Sequence, residues 1–227
     1  MRVQGVNSVH EALKVRKVNK IYVSASARSP RIRELVSVAK KMRIPVFYVR
    51  NLSSGVEADV SPVEYVDFDL LLERCLKTSG ILVFLDSVQD PQNLGAVIRN
   101  AVFFGCSGIV IPKRRSAQIS DTVAKTSAGA VFHTGVSRVS NLASSIKKLK
   151  RYGFTVLGAE PDGEEIQKIQ FEFPLAVVIG GEDEGISKPV KKQCDKLVSI
   201  PSHGKISSLN LSCASAVLLY EIRRRIG

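Results

Sequence analysis

The sequence predicts an α/β protein in two parts, a small α/β module at the N-terminus and a larger α/β domain with a mostly parallel sheet. From Ile81 onward, solidly apolar segments alternate with segments of helical period, which is typical of a parallel sheet covered on both faces. Before that point the apolar segments are short and the chain is far more basic. A length of 227 residues has room for one medium and one small domain.

Positive charge is concentrated at the N-terminus. The chain carries 33 Lys and Arg against 21 Asp and Glu, a formal charge of +12. Residues 1–50 hold twelve of these cations against only Glu11 and Glu34, so they supply +10 of the total. This pattern predicts a surface that binds a polyanion, of which nucleic acid is the commonest. The alternative is a solvated face that only confers solubility.

The four cysteines form no CxxC pair and have no histidine at metal-ligand spacing, so we expect no metal site. Cys106 and Cys213 stand in apolar contexts and are interpreted as small core residues. A reduced, cytoplasmic protein is expected. No signal peptide opens the chain and no apolar run approaches the ~20 residues that span a bilayer, so no membrane association is expected.

Within the N-terminal module, a first helix is expected to begin at Ser8, with Ser8 and Glu11 forming a capping box. A basic helix is expected to begin at Pro30, because proline favours the first helical position. Short strands are predicted at 21–23 and 46–49, and residues 51–62 are interpreted as a loop. The stretch 66–79 is interpreted as a linker, or as a linker that carries a short helix over 70–77.

In the larger domain, the alternation of apolar runs with helical periodicity fixes the expected elements. Strands are predicted at 81–87, 108–111, 155–159, 176–180 and 196–200. Helices are predicted at 93–104, 121–127, 141–151, 187–193 and 209–225.

Three polar loops follow predicted strands of this domain. Because the carboxyl ends of parallel strands meet at one edge of a sheet, where α/β proteins bind ligands, these loops are the candidate site. The first leads into the helix that carries Arg99, with Asp90 or Asn93 as its cap; a structural salt bridge at the core edge is the alternative for Arg99. The third contains Ser207, Ser208 and Asn210 at a helix start, where capping alone is the alternative.

The second loop begins with Gly180 and Gly181, which permit close backbone approach, followed by Glu182. The acidic run 182–184 matches no calcium loop, so a carboxylate that neutralises or orients Arg99 is the preferred interpretation of Glu182. The sequence has no GxGxxG after a strand and no GxxxxGK[ST], which excludes Rossmann dinucleotide and P-loop sites. His203 is interpreted as a solvated loop residue, with substrate contact as the alternative.

Together the three loops resemble the signature motifs of the SpoU (TrmH-type) family of RNA ribose 2′-O-methyltransferases. DPQNLGAVIRNA at 90–101 resembles the first motif, the stretch 180–186 the second and the stretch 200–214 the third, in the family's order and spacing. The N-terminal VQGVNSVHEAL is similar to the start of the small RNA-binding domain, related to ribosomal protein L30e, of the 23S rRNA guanosine methyltransferase (RlmB-type) branch.

The resemblance implies a C-terminal trefoil knot, S-adenosylmethionine as cofactor and a homodimer packed through the larger domain. It divides the chain into an RNA substrate-binding domain at 1–65, a linker at 66–79 and a methyltransferase domain at 80–227. It implies cofactor contacts through the backbone of Gly180, Ile200 and Leu209. It implies catalytic or substrate-positioning roles for Asn93, Arg99, Glu182, Ser208 and Asn210.

Two positions depart from the family pattern. Asp183 stands where glycine is usual, and Ser202-His203 replaces a methionine and its small neighbour. Neither change removes a matched functional residue, so they bear on substrate fit. The expected activity is methyl transfer from S-adenosylmethionine to a ribose 2′-hydroxyl, in a guanosine of 23S rRNA. A tRNA ribose methyltransferase of the same family and a non-catalytic RNA-binding or ribosome-assembly factor are the alternatives.

Overall fold

A computed structural model describes residues 1–206 and 208–225. The strands are β1 Arg2–Gln4, β2 Val18–Ser24, β3 Val46–Val49, β4 Val56–Val60, β5 Ile81–Asp86, β6 Gly108–Pro112, β7 Val136–Val139, β8 Thr155–Glu165, β9 Leu175–Gly180 and β10 Lys196–Ser199. The helices are α1 Val6–Lys14, α2 Pro30–Lys41, α3 Phe68–Lys77, α4 Pro91–Phe103, α5 Asp121–Thr126, α6 Leu142–Lys150, α7 Lys188–Lys191 and α8 Leu211–Arg224.

The chain forms two compact units. Unit 1 contains Met1–Val63 together with Gln118–His133, and unit 2 contains Glu64–Ala117 together with the residues from Thr134 onward. Both are α/β, so the predicted fold class is confirmed. Among the described residues, no helix is both long enough and apolar enough to cross a membrane.

Unit 1 is built on a four-stranded sheet in the order β1-β4-β2-β3. β2 and β3 are parallel, whereas β4 is antiparallel to both of its neighbours. Residues 51–62 are therefore not a simple loop, since β4 lies within them at the centre of the sheet. Val56, Ala58 and Val60 are buried on one face and Glu57 and Asp59 lie on the other. The loop prediction was wrong because two acidic residues obscured this alternation.

The segment Gln118–His133 packs on α1 within unit 1. Gly5, with φ 86°, precedes α1, and Ser8 lies inside the helix rather than at its cap. The Ser8 hydroxyl is buried and donates to the carbonyl of Ala124 at 3.3 Å. A side chain at Gly129 would come within 2.7 Å of the Glu11 Cβ, so the two segments touch closely. The predicted capping box was wrong: Glu11 bonds other partners.

Those partners are two histidines and a lysine. Glu11 accepts hydrogen bonds from Lys14 at 2.9 Å and from His133 at 2.7 Å, and lies 3.3 Å from His10 Nδ1. Burial alone would raise the pKa of Glu11, but the bonds from Lys14, His10 and His133 outweigh it and hold the pKa below its ordinary value. The ionised carboxylate therefore stabilises unit 1.

We expect Glu11→Gln to lower the free energy of unfolding near neutral pH by about 1 kcal/mol. Because the folded-state pKa is depressed, this contribution is present above the ordinary glutamate pKa of about 4.3 and is lost as the pH falls through the lower folded value. Urea unfolding over a pH series should show the deficit shrinking below about pH 4. Glu34→Gln, at an exposed position on α2, is the control. A pH-independent deficit would contradict the assignment.

Unit 2 is built on a six-stranded, entirely parallel sheet in the order β10-β8-β9-β5-β6-β7. The central strands β5 and β9 are apolar along their length and buried, as their lack of alternation predicted. The stretch expected to act as a linker carries α3, whose Leu71, Leu72 and Cys75 lie in the core of unit 2. Gly108 lies so close to Leu71 that a side chain there would meet it at 2.4 Å.

The edge strand β10 lies close against β8 and parallel to it. It pairs with β8 at Leu157–Gly158 and again at Glu164–Glu165, with a register shift between. Gly163 lies against the Leu197–Val198 backbone, where a side chain would come within 2.6 Å, and it accepts a hydrogen bond from the Ser199 hydroxyl at 2.8 Å. The trefoil knot implied by the resemblance stays a prediction.

Candidate active site

Three loops meet one edge of the parallel sheet of unit 2. They follow β5, β9 and β10 and lead into α4, α7 and α8. Since all six strands run in the same direction, the carboxyl ends of these three strands lie at the same edge. The three candidate motifs therefore lie on one side of the sheet, as the sequence predicted.

The first loop ends in a well-defined helix start. The Asp90 side chain accepts from the backbone N–H of Gln92 at 2.8 Å and Pro91 occupies the first turn, so Asp90 rather than Asn93 is the cap. The apolar stripe of α4 is fully buried, at Leu94, Val97, Ile98 and Ala101. Arg99 projects from another face and is exposed. An exposed guanidinium is hydrated and needs no protein partner, so this geometry leaves Arg99 available to a ligand.

The second loop is closed by glycine contacts. Gly181 donates to the carbonyl of Asp86 at 2.8 Å, and Gly185 donates to that of Gly181 at 3.0 Å. A side chain at Gly180 would lie 2.0 Å from the carbonyl carbon of Gly185, and one at Gly181 would lie 2.5 Å from the carbonyl oxygen of Ser87. Only glycine fits at either position, because the obstructing atoms are backbone.

Two carboxylates hold the far end of this loop. Asp86 accepts from the Ser187 backbone N–H at 2.9 Å and from its hydroxyl at 2.6 Å. Glu160 accepts from the backbone N–H of Ile186 at 2.9 Å and from Lys191 at 3.0 Å, a bond that raises the pKa of Lys191. The loop is thus fixed from β5 and from β8. Sequence reasoning missed both residues, although an acidic residue ending an apolar strand was a usable signal for Asp86.

The third loop connects β10 to α8 through Ile200, which is half-buried. Asn210 caps α8 by accepting from the backbone N–H of Cys213 at 2.8 Å. Ser208 is exposed and Leu209 is 52% exposed, next to Ile206 at 76%. Ser207 lies outside the described residues.

Cys213 is exposed, contrary to its interpretation as a core residue, because it lies on the outer side of the first turn of α8. Cys106, by contrast, is half-buried, and burial raises the pKa of its thiol to about 12. Its interpretation as a core residue was therefore correct only in part, since Cys106 is not among the buried residues of the core.

The predicted catalytic residues lie in loops at one edge of the sheet or on the helices that begin there, and their side chains do not bond one another within the described residues. Within residues 1–206 and 208–225, no hydrogen bond or ion pair joins Arg99 to Asn93, Glu182 or Ser208. Glu182 and Ser208 are exposed and Asn93 is half-buried. The same described residues contain no group of three or more His, Cys, Asp or Glu placed to hold a metal ion.

An apolar patch lies where α4 packs on α8. Asn100 joins the helices by donating to the Ser212 carbonyl at 2.8 Å and the Ser215 hydroxyl at 2.9 Å. Beside this contact between the helices, Phe103 is 80% exposed and Tyr220 is 58% exposed, and the Phe104 ring contacts both of their rings. We call Phe103, Phe104, Val217 and Tyr220 the α4/α8 patch. Arg99 lies one turn before Phe103 on α4 and so borders the patch.

Curated relatives cover nearly the whole chain. A protein of Archaeoglobus fulgidus described as an uncharacterized tRNA/rRNA methyltransferase is 48% identical over 225 residues, covering 99% of each chain. A Staphylococcus haemolyticus protein assigned to the TrmH family of tRNA/rRNA methyltransferases is 38% identical, covering 98% of this chain and 95% of its own.

Solved structures share the fold. The SpoU methyltransferase AviRb of Streptomyces viridochromogenes has a TM-score of 0.82 at 25% identity, covering 99% of this chain and 89% of its own. An AdoMet-bound rRNA methyltransferase of Sinorhizobium meliloti has a TM-score of 0.78 at 22% identity, covering 100% and 88%. The family model for RNA 2′-O ribose methyltransferase substrate binding matches residues 2–51. The SpoU rRNA methylase model matches residues 80–220, and with the three loops at one edge of the sheet it establishes that the chain belongs to the SpoU rRNA methylase family.

Proposed function

We propose that this RNA methyltransferase transfers a methyl group from S-adenosylmethionine to a ribose 2′-hydroxyl of RNA, in a guanosine of 23S rRNA. The observation that carries the proposal is the convergence of three family motifs at one edge of a parallel sheet. The match of residues 2–51 to a substrate-binding model of RNA 2′-O ribose methyltransferases supports the ribose as acceptor. Similarity of the N-terminal segment to the RlmB-type branch supports 23S rRNA as the substrate.

The residues of the three loops fit S-adenosylmethionine. Gly180 and Gly185 let the loop after β9 fold tightly on itself at this edge, because a side chain at Gly180 would meet the Gly185 backbone and one at Gly185 would meet the Glu160 carboxylate. In the third loop, Ile206 and Leu209 expose apolar surface that is suited to an adenine ring. In our proposal the backbone groups of Gly180, Ile200 and Leu209 hold the cofactor. When bound, it supplies a sulfonium methyl group, so the protein need only align the acceptor and manage one proton.

In this proposal Arg99 stabilises the negative charge that develops during the reaction. As the methyl group passes from sulfur to the ribose oxygen, that oxygen loses its proton and carries developing negative charge. An arginine guanidinium stays protonated in proteins at ordinary pH and is a poor general base. We therefore assign Arg99 to the ribose and its adjacent phosphate, where it stabilises the developing alkoxide while the proton passes to phosphate or water.

The remaining predicted residues position Arg99 and the substrate. Asn93, Glu182 and Ser208 orient the guanidinium once RNA and cofactor bring the loops into their working arrangement. Asn210, which also caps α8, positions the ribose or the cofactor carboxylate. All of these residues lie in the three loops or in the helices that begin there.

Unit 1 is the RNA-holding module in this proposal. The charge of residues 1–50 and the exposure of Arg31, Arg33, Lys40 and Lys41 on α2 support it. Deleting residues 1–65 would be an ambiguous test, because residues 118–133 pack with that segment and would lose their partners. Point substitutions on the exposed face of α2 avoid this problem.

We further propose a homodimer formed through the α4/α8 patch, because exposed contiguous aromatic surface marks interaction sites. Phe103→Glu is expected to convert the dimer to monomer at micromolar protein concentration, as measured by analytical ultracentrifugation. Tyr152→Glu, which changes a 50% exposed aromatic residue outside the patch, should leave the mass unchanged. A dimer that survives Phe103→Glu would place the interface elsewhere.

Incubation of total RNA with the protein and labelled S-adenosylmethionine tests the proposed activity, followed by mapping of the methylated ribose. Label at a 2′-O position of 23S rRNA supports the full proposal. Label in tRNA would assign the chain to a tRNA ribose methyltransferase. Calorimetry with S-adenosylmethionine separates the non-catalytic alternative, since a factor that only binds RNA would neither bind the cofactor nor transfer label.

A further inference from the structure

One face of the unit 1 sheet carries a continuous row of stacked side chains. Phe47 on β3 stands directly opposite Tyr22 on β2, and their rings stack with centroids 5.7 Å apart at 26°. The guanidinium of Arg2 lies 4.5 Å from the centroid of the Tyr22 ring. The row thus crosses the sheet from β1 to β3.

Arg2 and Tyr22 are each held in place by a polar bond. The Arg2 Nε donates to Glu57 at 2.7 Å, and the Tyr22 hydroxyl donates to Asp59 at 2.9 Å. The Arg2 guanidinium offsets the charge of Glu57, and the Tyr22 hydroxyl gives Asp59 a hydrogen-bond partner without neutralising its charge. Phe47 ends the row on the edge strand β3, and the residue is 48% exposed. A rigid aromatic ring with a free face is the surface on which a nucleobase stacks.

The charge around the row suits a nucleic acid. Lys20 lies two residues before Tyr22 on β2 and so shares its face, and Arg43 and Arg50 flank β3; all three are exposed. Within the described part of the chain, none of these three cations takes part in an ion pair. An unpaired cation beside an exposed aromatic ring can bind a phosphate while the ring takes the neighbouring base.

We propose that the Arg2–Tyr22–Phe47 row is a base-stacking platform for an unpaired nucleotide of the RNA substrate, with Phe47 as the residue that contacts the base. The inference rests on the proposed RNA-binding role of unit 1 and adds to it a recognition element other than charge. Because every base has a π-face, the platform selects single-stranded over double-stranded RNA rather than one sequence.

Phe47→Leu removes the ring from the platform while keeping an apolar side chain against Tyr22. Its affinity for a single-stranded oligouridylate is expected to fall about 5- to 100-fold. The slope of log affinity against log salt should not change, because no phosphate contact is lost. Tyr48→Ala is the matched control: Tyr48 is the next residue on the same strand, is 61% exposed, and points to the opposite face.

Two further measurements separate an effect on binding from an effect of the substitution on the stability of the fold. The chain has no tryptophan, so Phe47→Trp introduces a single fluorophore. It should bind as well as wild type and lose fluorescence on adding oligouridylate, but not on adding an abasic oligonucleotide of equal length. Arg33→Gln with Lys40→Gln should instead lower the salt slope with either ligand.

The outcomes separate this inference from the proposed function. Wild-type protein that binds no RNA would defeat both. RNA binding that Phe47→Leu leaves unchanged, or Phe47→Trp fluorescence that responds equally to the abasic ligand, would overturn the platform alone. An equal loss of affinity in Tyr48→Ala would also overturn it.

Discussion

Replacing Arg99 with alanine is expected to lower kcat for RNA methylation by about 100- to 1,000-fold, as for the loss of one donor that stabilises a developing oxyanion. The side chain is exposed and makes no bond within the described residues, so its removal costs little folding free energy. Cofactor affinity should be unchanged, because Arg99 acts on the RNA. Single-turnover kinetics with saturating cofactor measure the effect on chemistry directly.

Two companion variants sharpen this result. Arg99→Lys keeps a positive charge but not the planar fork of donors, so part of the rate should return. Arg74→Ala removes an exposed arginine from α3 in the same unit and should leave kcat unchanged. If Arg99→Ala turned over RNA at the wild-type rate, or bound S-adenosylmethionine poorly, the assigned role would be wrong.

Replacing Gly180 with alanine is expected to disrupt the loop after β9. The added methyl group would lie 2.0 Å from the carbonyl carbon of Gly185 and 2.3 Å from the N atom of Ile186, and neither backbone atom can turn aside as a flexible side chain would. Overpacking of this kind costs about 1–3 kcal/mol. Because Glu160 and Asp86 hold the end of the loop, the strain falls on residues 180–185.

The affinity for S-adenosylmethionine should fall as well. The loss is about tenfold or more if at least 1.4 kcal/mol of the strain falls on the conformation that binds the cofactor. Gly204→Ala is the matched control in the third loop, since a methyl group there meets nothing within 4 Å. It should change stability by no more than about 0.5 kcal/mol. Calorimetric titration with S-adenosylmethionine, together with urea unfolding, compares the two. Equal cofactor affinities would show that the loop after β9 does not hold the cofactor.

The parts of the site that the sequence predicted are local in origin. A strand, a polar loop and a capped helix follow one another within about twenty residues. The sequence therefore predicted the buried stripe of α4 and narrowed its cap to Asp90 or Asn93, and it narrowed the cap of α8 to Ser207, Ser208 or Asn210. The prediction that the three loops lie at one edge of the sheet rested on one rule, that strands without hydrophobic alternation form parallel sheets.

What the sequence did not predict depends on contacts between distant segments. Glu160 accepts the backbone N–H of Ile186 across 26 positions, and Asp86 reaches Ser187 across 101. Neither pairing produces a periodic pattern in the sequence from which it could be predicted. The prediction that Ser8 caps α1 was wrong for the same reason. Its hydroxyl donates to a carbonyl 116 residues away in the folded unit, and this bond outweighs the local preference of serine for a helix cap.

That distant contact has a consequence for the order of events during synthesis. Unit 1 needs Gln118–His133, so its assembly must wait until the intervening stretch Glu64–Ala117 has left the ribosome. Until then α1 has no Ala124 carbonyl and no His133 to meet. The basic segment 1–63 therefore leaves the ribosome before the residues that complete its unit, and it spends the interval as an incomplete, positively charged chain beside the ribosome's own RNA.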